Sequence, residues 1–285
     1  VPEIAFVNGR FMPLAEAVVP VEDRGFQFAD GVYEVLATYG GRPFAQEPHL
    51  RRLENSLRAL RIELDIRGYG LEGIVREGIA RSGFAEALVY LQVTRGVAPR
   101  HHEFPAPGTP PTVVMTVVEL RRPAAQLYQT GVKVVSAPDL RWRRCDVKST
   151  SLLANILAKQ QAAEAGAFEA LLVNEEGRVT EGSSTSAFCV RQGTLWTAPA
   201  GPHILPSITR GILLRLAGEL KLPVREEFST LEEYLGAEEV FLAGTTTEAM
   251  PVVQIDQRQV AGGEPGPLTR RLRAAFLEYV ARGEW

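Results

Sequence analysis

Apolar positions recur along this chain with two different periods, and the changes of period mark out its elements. Ile4 to Val7 and Arg10 to Met12 flank Asn8-Gly9, a two-residue turn signal, and predict a β-hairpin. Val32 to Tyr39 predicts a strand that ends at Gly40-Gly41. Leu50, Leu53, Leu57 and Leu60 fall on one helical face, so His49 to Leu60 is predicted helical. The helical spacing continues over Leu71 to Ala80 and stops at Gly83. Leu88 to Val93 and Thr112 to Leu120 are apolar runs rich in β-branched residues, hence strands.

Residues 121–126 break this periodicity and are read as a linker, separating a smaller domain, 1–120, from a larger one, 127–285. Beyond it, Val132 to Ser136 predicts a strand. Ser151 to Gly166 predicts a helix with Leu152, Leu153, Ile156, Leu157 and Ala163 on one side. Two hairpins follow, turning at Asn174 to Gly177 and at Gln192-Gly193. Ser207 is placed to cap a helix that runs to about Leu220. A short strand, Val240 to Ala243, and a last amphipathic helix, Leu268 to Val280, complete the pattern. Strands and helices mix in both halves without regular alternation, which argues for α+β.

Composition narrows the function classes. A chain of 285 residues, 45% hydrophobic and 23% charged, is ordinary for a globular protein. A formal net charge of −3 makes no electrostatic case for nucleic acid or a membrane surface. Cys145 and Cys189 have neither the number nor the spacing of a disulfide framework or a zinc site, and are expected as small buried side chains. No metal is expected. Val1 to Met12 lacks the shape of a signal peptide and no apolar run is long enough to span a bilayer, so a cytoplasmic protein is expected.

Four local signals can carry chemistry. Lys148 stands just ahead of the helix at Ser151; a lysine withdrawn from water is a nucleophile toward carbonyls. Glu181 lies beside a hydroxyl-rich turn, Ser183 to Ser186, able to hold a polar ligand. Ser207-Ile208-Thr209 at a helix start, and Gly244 to Thr247 after a strand, suit a phosphate, because helix N-termini offer unpaired N–H groups. Arg100, with His101 and His102 beside it, can grip a carboxylate through two parallel hydrogen bonds. Each alone also fits a solvated loop or a plain cap.

Taken in order, these segments resemble the class IV aminotransferases, the fold type IV pyridoxal-phosphate enzymes. The resemblance runs through Glu22 to Glu34, Val93 to Gly96, Pro99 to His102, Arg141 to Lys148, Leu157 to Gln160, Val179 to Ser184, Ile208 to Arg210 and Thr245-Thr246. It implies a two-domain α+β architecture with the active site between the domains, and pyridoxal 5'-phosphate as cofactor. Lys148 is implied as the Schiff-base lysine and Glu181 as the partner of the ring nitrogen. Arg52, Ile208, Thr209 and Thr245 are implied as phosphate ligands. Tyr33, Arg100 and His102 are implied as the trap for the substrate carboxylate, the last two reaching in from the second subunit of a homodimer.

The segment Pro99 to His102 points to the branch of the family that exchanges amino groups between D-amino acids and 2-oxo acids such as pyruvate or 2-oxoglutarate, by a ping-pong mechanism. L-branched-chain aminotransferases, aminodeoxychorismate lyases and R-amine transaminases share the scaffold, and a non-enzymatic cofactor-binding relative is the reading from another class. Three positions depart from the family pattern: His101 where a small residue is usual, Gly244 for a serine, and Ser186 for an asparagine. None is the lysine or the glutamate.

Overall fold

The computed structural model describes residues 3–285. Val1 and Pro2, which open the stretch read above as lacking a leader's shape, lie outside the described residues. The chain divides into two compact units: the residues up to Arg121 with Val147–Ser151, and Arg122–Asp146 with Leu152–Trp285. The stretch carrying Lys148 thus groups with the first unit, although the chain on either side of it belongs to the second. Among the described residues no helix is long and apolar enough to cross a membrane.

The first unit is an antiparallel sheet covered by helices. Its elements are β1 (Ile4–Val7), β2 (Arg10–Pro13), α1 (Arg24–Phe28), β3 (Gly31–Tyr39), β4 (Arg42–Pro43), α2 (Gln46–Leu60), α3 (Leu71–Ser82), β5 (Ala87–Thr94) and β6 (Thr112–Glu119). The strand order is β2-β1-β6-β5-β3-β4. Asn8 and Gly9 both take positive φ, 44° and 95°, the backbone that a tight right-twisted hairpin requires. Leu50, Leu53 and Leu57 of α2 and Leu71, Val75 and Ile79 of α3 share one core with Val89, Leu91, Val93 and Met115 of the sheet. Each such side chain taken from water contributes about 1.5–3 kcal/mol.

The second unit holds α4 (Leu127–Thr130), β7 (Val132–Pro138), α5 (Leu153–Glu164), β8 (Glu169–Val173), β9 (Arg178–Gly182), β10 (Ser186–Arg191), β11 (Thr194–Thr197), α6 (Ile208–Glu219), β12 (Val224–Glu226), β13 (Ser229–Thr230), α7 (Leu231–Leu235), β14 (Glu239–Gly244), β15 (Glu248–Ile255), β16 (Arg258–Gln259) and α8 (Pro267–Arg282). Its mixed sheet runs β12-β11-β10-β14-β15-β7-β8-β9-β13, with β16 on β15. The β7–β8, β15–β7 and β11–β12 pairs are parallel.

Two expectations fail here. In α5 the apolar side that the pattern defines, which a buried face would explain, is mostly outside: Leu153, Ile156 and Leu157 are 70%, 59% and 60% exposed. The buried side chains are Ala158 and Ala162, because α5 approaches β7 and β8 through its small residues. The other failure is β15, eight residues that the sequence pattern left without an assignment. Pro251 sits inside it opposite Phe241, and a proline reads as a break because it cannot donate to a ladder. The register shift between Val252 and Gln254 absorbs the irregularity.

Candidate active site

The main chain around Lys148 is an added rung on β3. Ser149 bridges Val32, the Tyr33 N–H donates to the Lys148 carbonyl at 3.0 Å, and the Thr150 N–H donates to Gly31 at 3.0 Å. The Lys148 N–H donates to Ser56 Oγ of α2 at 3.1 Å. The half-buried side chain carries its Nζ over the ring of Tyr33, 4.3 Å from the centroid. Tyr33 stacks on Tyr90 at 5.6 Å, whose own hydroxyl is pushed up to about 12 by burial. Lys148 and Tyr33 are thus direct neighbours.

Arg52 lies in a buried triad with Glu34 and His49. Its Nε and Nη2 donate to the two carboxylate oxygens of Glu34, at 2.7 and 2.8 Å, and His49 Nδ1 donates to Glu34 Oε2 at 2.7 Å. Glu34 is 0% exposed. Burial alone would raise its pKa; the charge and hydrogen bonds of Arg52, with the hydrogen bond of His49, outweigh this and bring it to about 2. Burial pushes His49 down, against the pull of Glu34, so its imidazole is neutral.

Arg100 and His102 are exposed and lie on Phe28, the guanidinium 4.8 Å from the ring centroid and the imidazole edge-on at 5.7 Å. The loop they ride on is clamped from beneath. Buried Arg24 donates to the carbonyls of His101 and Glu103, at 2.6 and 3.2 Å, and to Asp30 at 2.8 Å. Arg95 grips both oxygens of Asp30, at 2.8 and 2.9 Å. Burial would raise Asp30, and the two arginines lower it on balance. Tyr33 belongs to the Lys148 group, whereas Arg100 and His102 form a second group around Phe28.

In the second unit Glu181, 6% exposed, accepts from the Leu205 N–H at 3.1 Å and pairs with Arg141. Arg141 is itself held by Asp139 through Nε and Nη2, at 2.9 and 2.8 Å. Burial raises the Glu181 pKa, and Arg141 offsets this only in part. Ser207 caps α6 by accepting from the Arg210 N–H at 3.2 Å, so Ile208 and buried Thr209 open the first turn, where N–H groups have no acceptor within the helix. Thr245 stands in the turn between β14 and β15. The turn after Glu181 differs from expectation. The hydroxyls of Ser183, Ser184 and Thr185 are not presented to a ligand; all three donate to buried Glu169, Ser184 at 2.7 Å and Thr185 at 3.3 Å. Ser186 Oγ is buried without a partner.

Sequence reasoning missed Glu34, Ser56, Asp139 and Glu169. For Glu34 a signal was available: it shares the period-2 face of β3 with Val32 and Leu36, both 0% exposed, so its carboxylate had to be inside and paired. Cys145, close in sequence to Lys148, is buried and pushed up to about 11 by that burial, which leaves it a neutral thiol.

The chain resembles known proteins along nearly its whole length. Residues 31–255 match the family model for amino-transferase class IV. D-alanine aminotransferase of Bacillus licheniformis is 41% identical over 273 residues, covering 96% of this chain and 95% of that protein. The Staphylococcus haemolyticus enzyme of the same name is 38% identical, covering 96% and 97%. Among solved structures, the branched-chain amino acid aminotransferase of Thermoproteus uzoniensis with norvaline superposes with a TM-score of 0.87 at 27% identity, over 99% of this chain and 95% of that one. The Escherichia coli branched-chain enzyme gives 0.88 at 25%, over 98% and 94%.

Proposed function

This chain belongs to amino-transferase class IV, and from that premise we propose that it is a pyridoxal-phosphate enzyme moving amino groups between D-amino acids and 2-oxo acids. The observation that carries the substrate class is the near full-length similarity to D-alanine aminotransferases, 41% against 25–30% for the branched-chain enzymes whose fold it shares.

The donor set fits the cofactor. An aldehyde needs a primary amine, and Lys148 offers one on a main chain fixed at both its N–H and its carbonyl. A protonated ring nitrogen needs a buried carboxylate, and Glu181 is one. A phosphate needs N–H and hydroxyl donors, and the first turn of α6 with Thr209, Thr245 and Arg52 are of that kind. When bound, pyridoxal 5'-phosphate supplies the electron sink that makes a substrate Cα–H bond acidic. Glu181 would partner the ring nitrogen and favour its protonated form, since a nearby opposite charge favours the charged state. Lys148 Nζ takes the proton from the substrate Cα, and the ring face of Tyr33 beneath it stabilises the resulting ammonium. Arg100, His102 and Tyr33 anchor the substrate carboxylate. The exposure of Arg100 and His102 supports a homodimer in which they serve the partner's site.

The test is a panel of D- and L-amino acids with pyruvate or 2-oxoglutarate as acceptor. D-alanine or D-glutamate should be used at least ~10²-fold more efficiently than the L-forms, ~2.7 kcal/mol in transition-state free energy. Arg100→Ala should lose most D-activity and still bind cofactor. Efficient turnover of L-leucine with D-substrates inert would replace this reading by the branched-chain one.

A further inference from the structure

Helix α2 carries two neighbouring buried stripes. Leu50, Leu53 and Leu57 form the apolar one, packed in the core. His49, Arg52 and Ser56, spaced i, i+3 and i+7, form a polar one on the adjacent face. The first two of these meet Glu34. The third meets a backbone group: Ser56 Oγ accepts from the Lys148 N–H at 3.1 Å. Ser56 is 2% exposed, so little water is at hand to replace it.

We propose that Ser56 is a positioning residue for Lys148: its hydroxyl fixes the backbone from which the reactive amine swings. The proposal rests on the cofactor reading above. An amine that is displaced at each half-reaction and must return to one place needs a stationary Cα. Of the two backbone groups of Lys148, the carbonyl is tied to β3 through the Tyr33 N–H. The Thr150 N–H adds a second tie to the same strand, at Gly31. The bond to Ser56 joins the remaining backbone group of Lys148 to a different element, α2, so the segment is held from the helix as well as from the sheet. Serine in a helix interior is a poorer helix former than alanine, so local helix stability gives no reason for a hydroxyl here. The bond to Lys148 does.

The test compares Ser56→Ala with Ser56→Thr in the full-length protein. In the cofactor-free protein, hydrogen exchange is followed in the peptide spanning 147–151, with β5 and β6 as an internal measure of folding. Ser56→Ala should speed exchange at Lys148 at least ~5-fold, as when one buried donor loses its acceptor, and leave β5 and β6 unchanged. Added pyridoxal phosphate should then attach to Lys148 at least ~5-fold more slowly, read as growth of the cofactor's absorption band. Ser56→Thr keeps the oxygen and should restore both readouts. Unchanged exchange and attachment in Ser56→Ala overturn the proposal, as does a threonine variant as impaired as the alanine one. Borohydride reduction and peptide mapping of the wild type separate the two levels. An adduct on another lysine overturns the cofactor reading itself. An adduct on Lys148, with Ser56→Ala unaltered, overturns the anchor alone.

Discussion

Lys148→Ala is expected to fold and to lose at least ~10⁴-fold in amino-transfer rate, a loss of ~5.4 kcal/mol of transition-state stabilisation. The side chain is half-buried, and the segment's bonds to β3 and α2 run through its backbone, so the substitution leaves the rung in place. What disappears is the amine over Tyr33, and with it the attachment point and proton carrier of the proposed reaction. The same variant tests where the carboxylate trap comes from. Neither Lys148→Ala nor Arg100→Ala should be active alone. If Arg100 serves the partner's site, subunit exchange between the two makes mixed dimers with one complete site each. Random mixing then recovers about a quarter of wild-type activity, because half the dimers are mixed and each has one working site of two. No recovery after verified exchange would mean that Arg100 acts within its own chain. Residual turnover in Lys148→Ala within ~10-fold of wild type would remove the lysine from its role.

The parts of this fold that were legible in the sequence are those where one physical cause acts locally. Asn8-Gly9 dictates its turn whatever surrounds it, and Leu50, Leu53 and Leu57 dictate a buried face because nothing else satisfies three leucines at that spacing. Helix α5 was legible as a helix and not as a packed one. Its leucines and isoleucine follow the core pattern, yet Ala158 and Ala162 make the contact, and only the neighbouring strands decide which stripe is used. The site divides in the same way. Lys148 and Glu181 stand in long ordered segments that resemble a family, so the sequence could propose them as site residues. The groups that hold them could not, since Ser56 and Lys148 lie 92 residues apart and Arg141 and Glu181 40 apart. The hydroxyls of Ser183 to Thr185 misled because composition shows that donors exist and not where they point; Glu169, 14 residues earlier than Ser183, claims them.

Glu34→Ala should cost about 3–5 kcal/mol of folding stability at neutral pH, because it removes the bidentate carboxylate that offsets the buried Arg52 guanidinium charge. The wild-type carboxyl titrates at about 2, against 4.5 for an unperturbed glutamate. A lowered folded pKa means that, as acid is added, the unfolded chain takes up the proton first. The stabilisation is therefore complete above about pH 4.5 and drains away as the pH falls toward 2, amounting to about 3 kcal/mol. His49 acts in the same direction by a different route. Burial holds it neutral in the folded protein, while the unfolded chain protonates it near 6.5, so its contribution is lost on acidification below that value. Urea midpoints for wild type and Glu34→Ala, taken from about pH 7 to the lowest pH at which both remain folded, separate these contributions. The wild type should weaken in two stages, the first beginning below pH 6.5 and the second below pH 4.5. The gap between the two proteins should narrow toward low pH, since only the wild type has the Glu34 proton to gain. On the proposed role of Arg52 as a phosphate ligand, cofactor affinity should fall in Glu34→Ala as well, because Arg52 loses the bidentate grip that orients it. A variant within ~1 kcal/mol of wild type at neutral pH, or a gap that stays constant as the pH is lowered past 4.5, would show that the triad carries neither the stability nor the acid sensitivity assigned to it.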